Sequence, residues 1–242
     1  ISLIEQAKKE CSIPIIASIN CYSDSEWTDF AAMMQNAGAD ALELNILSLQ
    51  TDKDYKFGSF EQRHIDILCH VKKVVNIPII IKLGMNFTNP IALINQLYAN
   101  GAAAVVLFNR FYQPDFNIDT LSFTNTNVMS TPQELASRLR WTAIASAEVP
   151  QIDYAVSGGV HCGKGVIKSI LAGASAVEIC SVIYQYGAKE IAKMEKELAE
   201  WMNEQGYNTI SQFQGKMNAS ACGDVNPFER TQFMKYYSNH EE

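Results

Sequence analysis

The chain has 242 residues, of which 48% are hydrophobic, and a formal net charge of -7 at pH 7. This length and composition suit one sizeable hydrophobic core or two small ones. Because no basic run is present, nucleic acid is excluded as an expected partner, and no apolar stretch is long enough to predict a membrane-spanning helix.

The predicted elements alternate between strand and helix. In chain order they are a helix end at 4–11, a strand at 14–20, a helix at 27–36, a strand at 41–46, a loop at 47–60, a helix at 61–75, a strand at 78–83, a helix at 90–100, a strand at 103–108, a polar loop at 110–131, a helix at 132–147, a strand at 153–156, a helix at 166–171, a strand at 176–180 and a helix at 188–205. The order predicts an α/β fold with a parallel sheet. We predict one domain over 1–242, with a helical tail from about residue 188.

Six cysteines occur without a CxxC pair or the spacing of a zinc site. The pattern indicates reduced thiols in a cytoplasmic protein without a structural metal. Cys162 and Cys180 would come close if their two turns meet, but a disulfide is not expected in that compartment.

Polar side chains close the six predicted strands. They are Asn20, Asn45, Lys82, Asn109, Ser157 and Ser181. In a (β/α)8 barrel, such positions line the mouth where ligands bind. Lys82 lies inside the apolar run IIIKLG, where a lysine is costly unless it meets a carboxylate or a ligand. Strand alternation predicts that Glu43 and Lys82 both point into the barrel, as a structural ion pair or beside a ligand.

The stretch 153–181 predicts a strand, a glycine turn, a helix, a second turn and a strand. Gly158 and Gly159 allow the backbone to approach a ligand, and Ser181 stands at the end of the next strand. Backbone N–H groups beside a hydroxyl suit a phosphate. Two ordinary tight turns are the alternative interpretation. His161 either reaches that phosphate or caps a helix.

These segments resemble the dihydroorotate dehydrogenase family of FMN-dependent barrels over nearly the whole chain. The matching pieces are IPIIASIN, GADALELNI, IPIIIKLG, GAAAVVLFNRFYQPDF, SGGVHCGKGVIKSILAGASAVEICS and GYNTISQFQG. The resemblance implies a TIM (β/α)8 barrel, of which this chain carries about six βα units. Because the chain starts at Ile1 inside a helix, we expect an N-terminally shortened barrel.

The resemblance also implies a cofactor site and a reaction. Asn20, Asn45 and Lys82 would contact the isoalloxazine and ribityl parts of FMN, and Gly158, Gly159, Cys180 and Ser181 would hold its phosphate. The implied reaction oxidises (S)-dihydroorotate to orotate in UMP synthesis, with Lys82 stabilising the reduced flavin. Asn45 and Asn109 would face this small-molecule substrate, with Gln50 and Arg110 at substrate-binding positions.

The catalytic base of the family falls on Ser48, but its surroundings differ. Residues Leu47 to Gln50 and Arg110 depart from the family pattern, and a serine is a poor base without a partner that takes its proton. An alternative is therefore a flavin-binding barrel with an altered substrate or no dihydroorotate turnover. A third interpretation is a sugar-phosphate-binding barrel without flavin. Arg110 either meets an anionic substrate or lies on the surface.

Two expectations concern the exterior of the barrel. Tyr112, Pro114 and Asp115 form either a lid or a packed surface loop. Six parallel strands leave two unpaired edges, which soluble proteins rarely tolerate. We expect this chain alone to bind FMN weakly or not at all, although a longer protein would bind it. A homodimer is one way to cover the edges.

Overall fold

A computed structural model of the chain describes residues 1–21, 24–125, 127–223 and 226–229. The strands are β1 (Ile16–Ile19), β2 (Ala41–Asn45), β3 (Ile79–Leu83), β4 (Ala104–Leu107), β5 (Pro114–Asn117), β6 (Ser122–Asn125), β7 (Asp153–Ser157) and β8 (Ala176–Glu178). The helices are α1 (Ser2–Glu10), α2 (Asp24–Asn36), α3 (Ser59–Val71), α4 (Pro90–Ala99), α5 (Leu135–Glu148), α6 (Gly163–Leu171), α7 (Ser181–Tyr186), α8 (Lys189–Gln205) and α9 (Asn226–Glu229), with 3-10 turns at Pro132–Glu134 and Ile210–Gln212.

Six strands form one parallel sheet in the order β1-β2-β3-β4-β7-β8. The ladder places Asn45 opposite Lys82 and Ser157 opposite Glu178. The predicted α/β fold with six βα units is confirmed. The N-terminal shortening and the single domain stay predictions.

The sheet is curled into part of a barrel. Lys82 on β3 forms an ion pair with Glu178 on β8, three positions away in the strand order. Neighbouring strands lie about 4.8 Å apart, so a flat sheet would separate these two backbones by about 14 Å. The side chains meet because the sheet bends towards its inner face.

The outer face of the sheet packs against the helices. Its fully buried side chains include Leu42, Leu44, Ile81, Leu83 and Leu107. These residues alternate along their strands with inner-face positions such as Glu43 and Lys82. The core therefore lies between the sheet and the helices, and the inner face is left for polar chemistry.

The stretch after β4 differs from its prediction as a plain polar loop. Within it, β5 and β6 pair as an antiparallel hairpin, with Phe116 opposite Phe123 and their ring centroids 5.4 Å apart. The short segments PDFN and SFTN carry proline and asparagine, which are depleted in strands, so composition hides them. Tyr112, Pro114 and Asp115 are all exposed, and Pro114 and Asp115 belong to the hairpin.

The C-terminal region holds one helix that the sequence did not predict. Helix α7 begins at Ser181 and ends at Tyr186, because β8 ends earlier than expected, at Glu178. The tail contains short helices as predicted, and its residues 230–242 lie outside the described ranges. No helix among the described residues is long and apolar enough to cross a membrane.

Candidate functional site

The inner face of the curled sheet encloses a cavity of about 870 Å³. This volume is typical of a site for a cofactor or small ligand. Residues that line the cavity come from β1, β2, β3, β4, β7 and β8 and include Ser18, Glu43, Lys82, Asn109, Ser157, Gly158, Gly159, Glu178, Cys180 and Ser181. Several of the predicted site residues therefore do come together.

Lys82 is the cation at the centre of this cavity. Its ammonium contacts the Glu178 carboxylate, and its Nζ lies 3.6 Å from Oε1 of Glu43. Ser18 donates a hydrogen bond to the same Glu43 oxygen, at 2.5 Å. The predicted contact between Glu43 and Lys82 is present, and Glu178 is an additional, closer partner.

The two carboxyl groups of this cluster have opposite pKa shifts. Burial, together with the hydrogen bond and charge of Glu178, raises the pKa of Glu43 to about 7. Burial acts to raise the pKa of Glu178 as well, but the hydrogen bond with Glu43 and the charge of Lys82 outweigh it and lower that pKa. Below about pH 7, Glu43 therefore holds the proton, Glu178 carries the negative charge, and the cluster is neutral with Lys82.

A pair of asparagines lies at the mouth beside this cluster. Asn109 Nδ2 donates to Asn45 Oδ1 at 2.5 Å, which joins the ends of β2 and β4. Asn20 directly follows β1, and the ladder that pairs Ile19 with Leu44 places it next to Asn45. Amide groups gathered at three strand ends suit the recognition of a polar ring.

The glycine turn after β7 forms the other end of the cavity. Gly158 and Gly159 have φ values of +95° and +81°, a region that side chains other than glycine rarely adopt. A Cβ on Gly159 would lie 2.4 Å from the backbone nitrogen of Leu135, where α5 begins. Glycine is thus required for the turn and for its contact with α5.

Ser181 stands across from this turn at the start of α7. Its Oγ accepts a hydrogen bond from the backbone N–H of Ser130 at 2.9 Å. The Ser130 hydroxyl lies 3.0 Å from Nε2 of His161. Cys180 is exposed and lines the cavity beside Ser181, and Cys162 is likewise a free, exposed thiol.

Arg110 lines the cavity, but its guanidinium is bound by the protein itself. Its Nε lies 3.1 Å from Oε2 of Glu134. Its terminal nitrogens donate to the carbonyls of Asn127 and Val128 at 2.8 and 2.9 Å. These bonds anchor the segment that follows the hairpin, and a role for Arg110 towards substrate stays a prediction.

Ser48 and Gln50 lie on the loop after β2, outside the lining of the cavity. Arg63 donates to the Ser48 Oγ at 3.3 Å. An arginine is always protonated, so it cannot take the proton that a serine base must pass on. Gln50 is exposed, and its Oε1 accepts the backbone N–H of Asp52 at 2.9 Å. The structure does not bring these two residues to Lys82.

Five residues of the site were not found from the sequence: Ser18, Ser130, Glu134, Arg138 and Glu178. Glu178 could have been predicted, because it is a charged residue inside the apolar run Ala-Val-Glu-Ile, just as Lys82 is a charged residue inside its own apolar strand. Arg138 carried none, since its burial beneath the glycine turn depends on how α5 packs.

The curled parallel sheet and the polar cavity on its inner face define a (β/α)-barrel protein whose site lies at the carboxyl ends of its strands. The family model for dihydroorotate dehydrogenase matches residues 2–202. The chain belongs to the dihydroorotate dehydrogenase family, whose members are oxidoreductases.

Known relatives agree with this assignment. The chain is 32% identical over 212 residues to the catalytic subunit of dihydroorotate dehydrogenase B (NAD(+)) of Thermoplasma volcanium, which covers 86% of this chain and 69% of the relative. It is 26% identical over 211 residues to the subunit of that name from Caldicellulosiruptor saccharolyticus, covering 84% and 68%. A probable dihydroorotate dehydrogenase A (fumarate) of Enterococcus faecalis is 36% identical over 75 residues, covering 31% and 24%.

Proposed function

We propose that this chain is the catalytic part of a cytoplasmic, FMN-dependent oxidoreductase that oxidises (S)-dihydroorotate to orotate in pyrimidine synthesis. The observation that carries the proposal is Lys82, held by Glu178 and Glu43 in a cavity of flavin-accommodating size. Family membership supports the same reaction class. The relatives named as catalytic subunits support the presence of a partner subunit.

The residues present fit FMN. The cavity ends at a glycine turn that a side chain would fill, beside the Ser181 hydroxyl, and these groups would hold the phosphate. Asn20, Asn45 and Lys82 would contact the ring and ribityl chain, and Cys180 would flank the phosphate. When bound, FMN supplies the acceptor for the hydride that leaves the substrate.

The chain's own residues would then act at defined atoms. The Lys82 ammonium would stabilise negative charge at the pyrimidine edge of the ring, since a preorganised cation in a buried site favours charge that develops there. The Asn45 and Asn109 amides would orient the substrate. Glu43, whose pKa is raised to about 7, could take up or release a proton near neutral pH as the charge beside Lys82 changes.

A second candidate is a flavin barrel of this family that acts on a different substrate. It is favoured by the position of Ser48, whose hydroxyl is paired with the permanent cation Arg63 rather than with a proton acceptor. In this candidate Ser48 does not act as a base.

Anaerobic mixing of the FMN-loaded protein with (S)-dihydroorotate tests the proposal. We expect the flavin absorption to bleach, and we expect Lys82→Met to bind FMN without bleaching. Reduction by dithionite but not by dihydroorotate would favour the second candidate. Failure to take up any flavin, both by this chain and by a protein that supplies the further βα units of the family, would overturn both and favour a sugar-phosphate barrel.

A further inference from the structure

We propose that Ser130 and His161 complete an anion site: with Ser181 they form a chain of hydrogen-bond donors that directs the Ser181 hydroxyl at a phosphate monoester. That the ester is FMN rests on the proposed function. The anion site itself rests on the geometry alone, so the two can fail separately.

The direction of these hydrogen bonds follows from counting the hydrogens available to each group. The Ser181 Oγ accepts two hydrogen bonds from Ser130, one from the backbone N–H at 2.9 Å and one from the hydroxyl at 3.1 Å. The Ser130 hydroxyl has a single hydrogen, and this bond uses it. The contact of 3.0 Å to His161 therefore needs a donor on Nε2, which assigns a hydrogen to that nitrogen.

The hydrogen bonds thus run from the His161 imidazole to the Ser130 hydroxyl and from there to the Ser181 hydroxyl. Because the Ser181 Oγ already accepts twice, its own hydrogen is left to be donated to a ligand. Each donor polarises the hydroxyl after it, which strengthens the last bond of the series. Ser130 is only 8% exposed, so this polarisation takes place away from bulk water.

This series of hydrogen bonds ends in the same cavity as the glycine turn. Ser130, Ser181, Gly158 and Gly159 all line it. The left-handed backbone of the two glycines brings main-chain groups close to a ligand without a side chain in between. A hydroxyl and main-chain groups that line one cavity suit the several acceptor oxygens of a phosphate.

The charges behind the turn favour an anion as well. Arg138 is buried, and a Cβ on Gly158 would lie 3.1 Å from its Nε. Glu134 is the carboxylate that neutralises it, at 3.6 Å, but the same carboxylate is shared with Arg110. Two guanidinium groups on one carboxylate leave a surplus positive charge close to the turn, which a phosphate would balance.

A comparison of FMN with riboflavin, which lacks the phosphate, tests the assignment. We expect Ser130→Ala and His161→Phe each to weaken FMN binding about tenfold, the effect of losing one good hydrogen bond, while riboflavin binding stays unchanged. His161→Gln keeps an N–H donor and is expected to recover most of the affinity. His70→Phe, at an exposed position on α3, is the matched control.

Inorganic phosphate separates this inference from the flavin proposal. Followed by phosphorus NMR, it should bind saturably to the wild-type protein and less well to Ser130→Ala. Phosphate binding without FMN binding would sink the proposed function and leave the anion site standing. Equal losses for FMN and riboflavin, or no saturable phosphate binding, would overturn the anion site. Ser130→Thr, which keeps the hydroxyl, checks that altered folding is not the cause.

Discussion

Three ionisable side chains from three different strands share one buried cluster at the centre of the cavity. Lys82 and Glu178 carry opposite charges, and below about pH 7 Glu43 stays neutral by keeping its proton. Burying two ionised carboxylates with one lysine would leave a net charge in a medium that solvates it poorly. The neutral arrangement avoids this cost, and it makes the stability of the fold depend on pH.

The first prediction concerns the proton on Glu43. The pKa of Glu43 rises from 4.5 in its ordinary state to about 7 in the fold, so its stabilising contribution is complete below pH 4.5 and is lost as pH rises through 7. We expect the wild type to lose on the order of 2 kcal/mol, relative to Glu43→Gln, between pH 5.5 and 8. Urea unfolding of both proteins at the two pH values measures this.

The comparison with Glu43→Gln isolates one group. The amide imitates the protonated carboxyl, because it can still donate to Glu178 and accept from Ser18. Burial lowers the pKa of His64, so this histidine decreases the stability of the fold as pH falls below 6.5. The effect is the same in the wild type and in Glu43→Gln, so it cancels in the comparison. Parallel stability curves for the two proteins would show that Glu43 is ionised in the fold.

The second prediction concerns the ion pair itself. Lys82→Met leaves the Glu178 carboxylate without its cation. We expect a loss of about 2 kcal/mol in unfolding free energy at pH 5.5, where Glu43 is protonated. This is below the usual cost for a fully buried pair because Glu178 is partly exposed. The double variant Lys82→Met/Glu178→Gln should recover more than half of that loss. Purely additive effects in this double-mutant cycle would mean that the two side chains are not coupled.

Residue by residue, the sequence predicted the near partner of Lys82 and missed the far one. Glu43 was predictable because adjacent parallel strands with alternating side chains bring it to the same face as Lys82. Glu178 lies three strands away, and only the curl of the sheet closes that distance. Local periodicity contains no information on that curl. The roles of Ser48, Gln50 and Arg110 towards substrate stay predictions.

At the level of elements, the turn after β7 and the start of α5 depend on each other. Gly159→Ala would force a left-handed alanine and would drive its Cβ into the Leu135 backbone. We expect it to cost about 3 kcal/mol in unfolding free energy, the sum of a φ penalty and a backbone clash. Gly206→Ala, with φ +74° and nothing within 4 Å, should cost only about 1 kcal/mol. Denaturant unfolding of both variants measures the difference, and equal costs would show that the turn does not need its contact with α5.

The six βα units were predictable as elements because each combines an apolar strand with an amphipathic helix, often ended by Gly-Ala. The hairpin of β5 and β6 was not, because its side chains are exposed and its pairing is sustained by the partner strand rather than by a buried face. Helix α7 was missed because its six residues are too few to show a helical period.

At the scale of the whole molecule, the six-stranded sheet has two edge strands, β1 and β8. Among the described residues, β1 pairs only with β2 and β8 only with β7. Each outer strand therefore presents unpaired N–H and C=O groups, which readily pair with another chain. The hairpin offers a competing apolar surface, with Ile118, Leu121 and Phe123 strongly exposed.

The last prediction is that a protein of these 242 residues self-associates through a sheet edge rather than through the hairpin. Ile16 lies on β1, where half of its surface is exposed, and it also lines the cavity. A lysine there would place a charge on the edge, a substitution that blocks edge-to-edge pairing in soluble proteins. We expect the sedimentation coefficient of the wild type to rise with protein concentration, and Ile16→Lys to remove that rise.

Ile118→Lys, at the exposed end of the hairpin, is the matched control and should leave the association unchanged. If Ile118→Lys rather than Ile16→Lys abolishes it, the hairpin is the interface. A wild type that stays monomeric at every concentration would mean that the edges need no partner. Where association does use the edge, a second copy closes the open side of the cavity. FMN affinity should then increase with protein concentration in the wild type and in Ile118→Lys, because burial strengthens the polar contacts of the site.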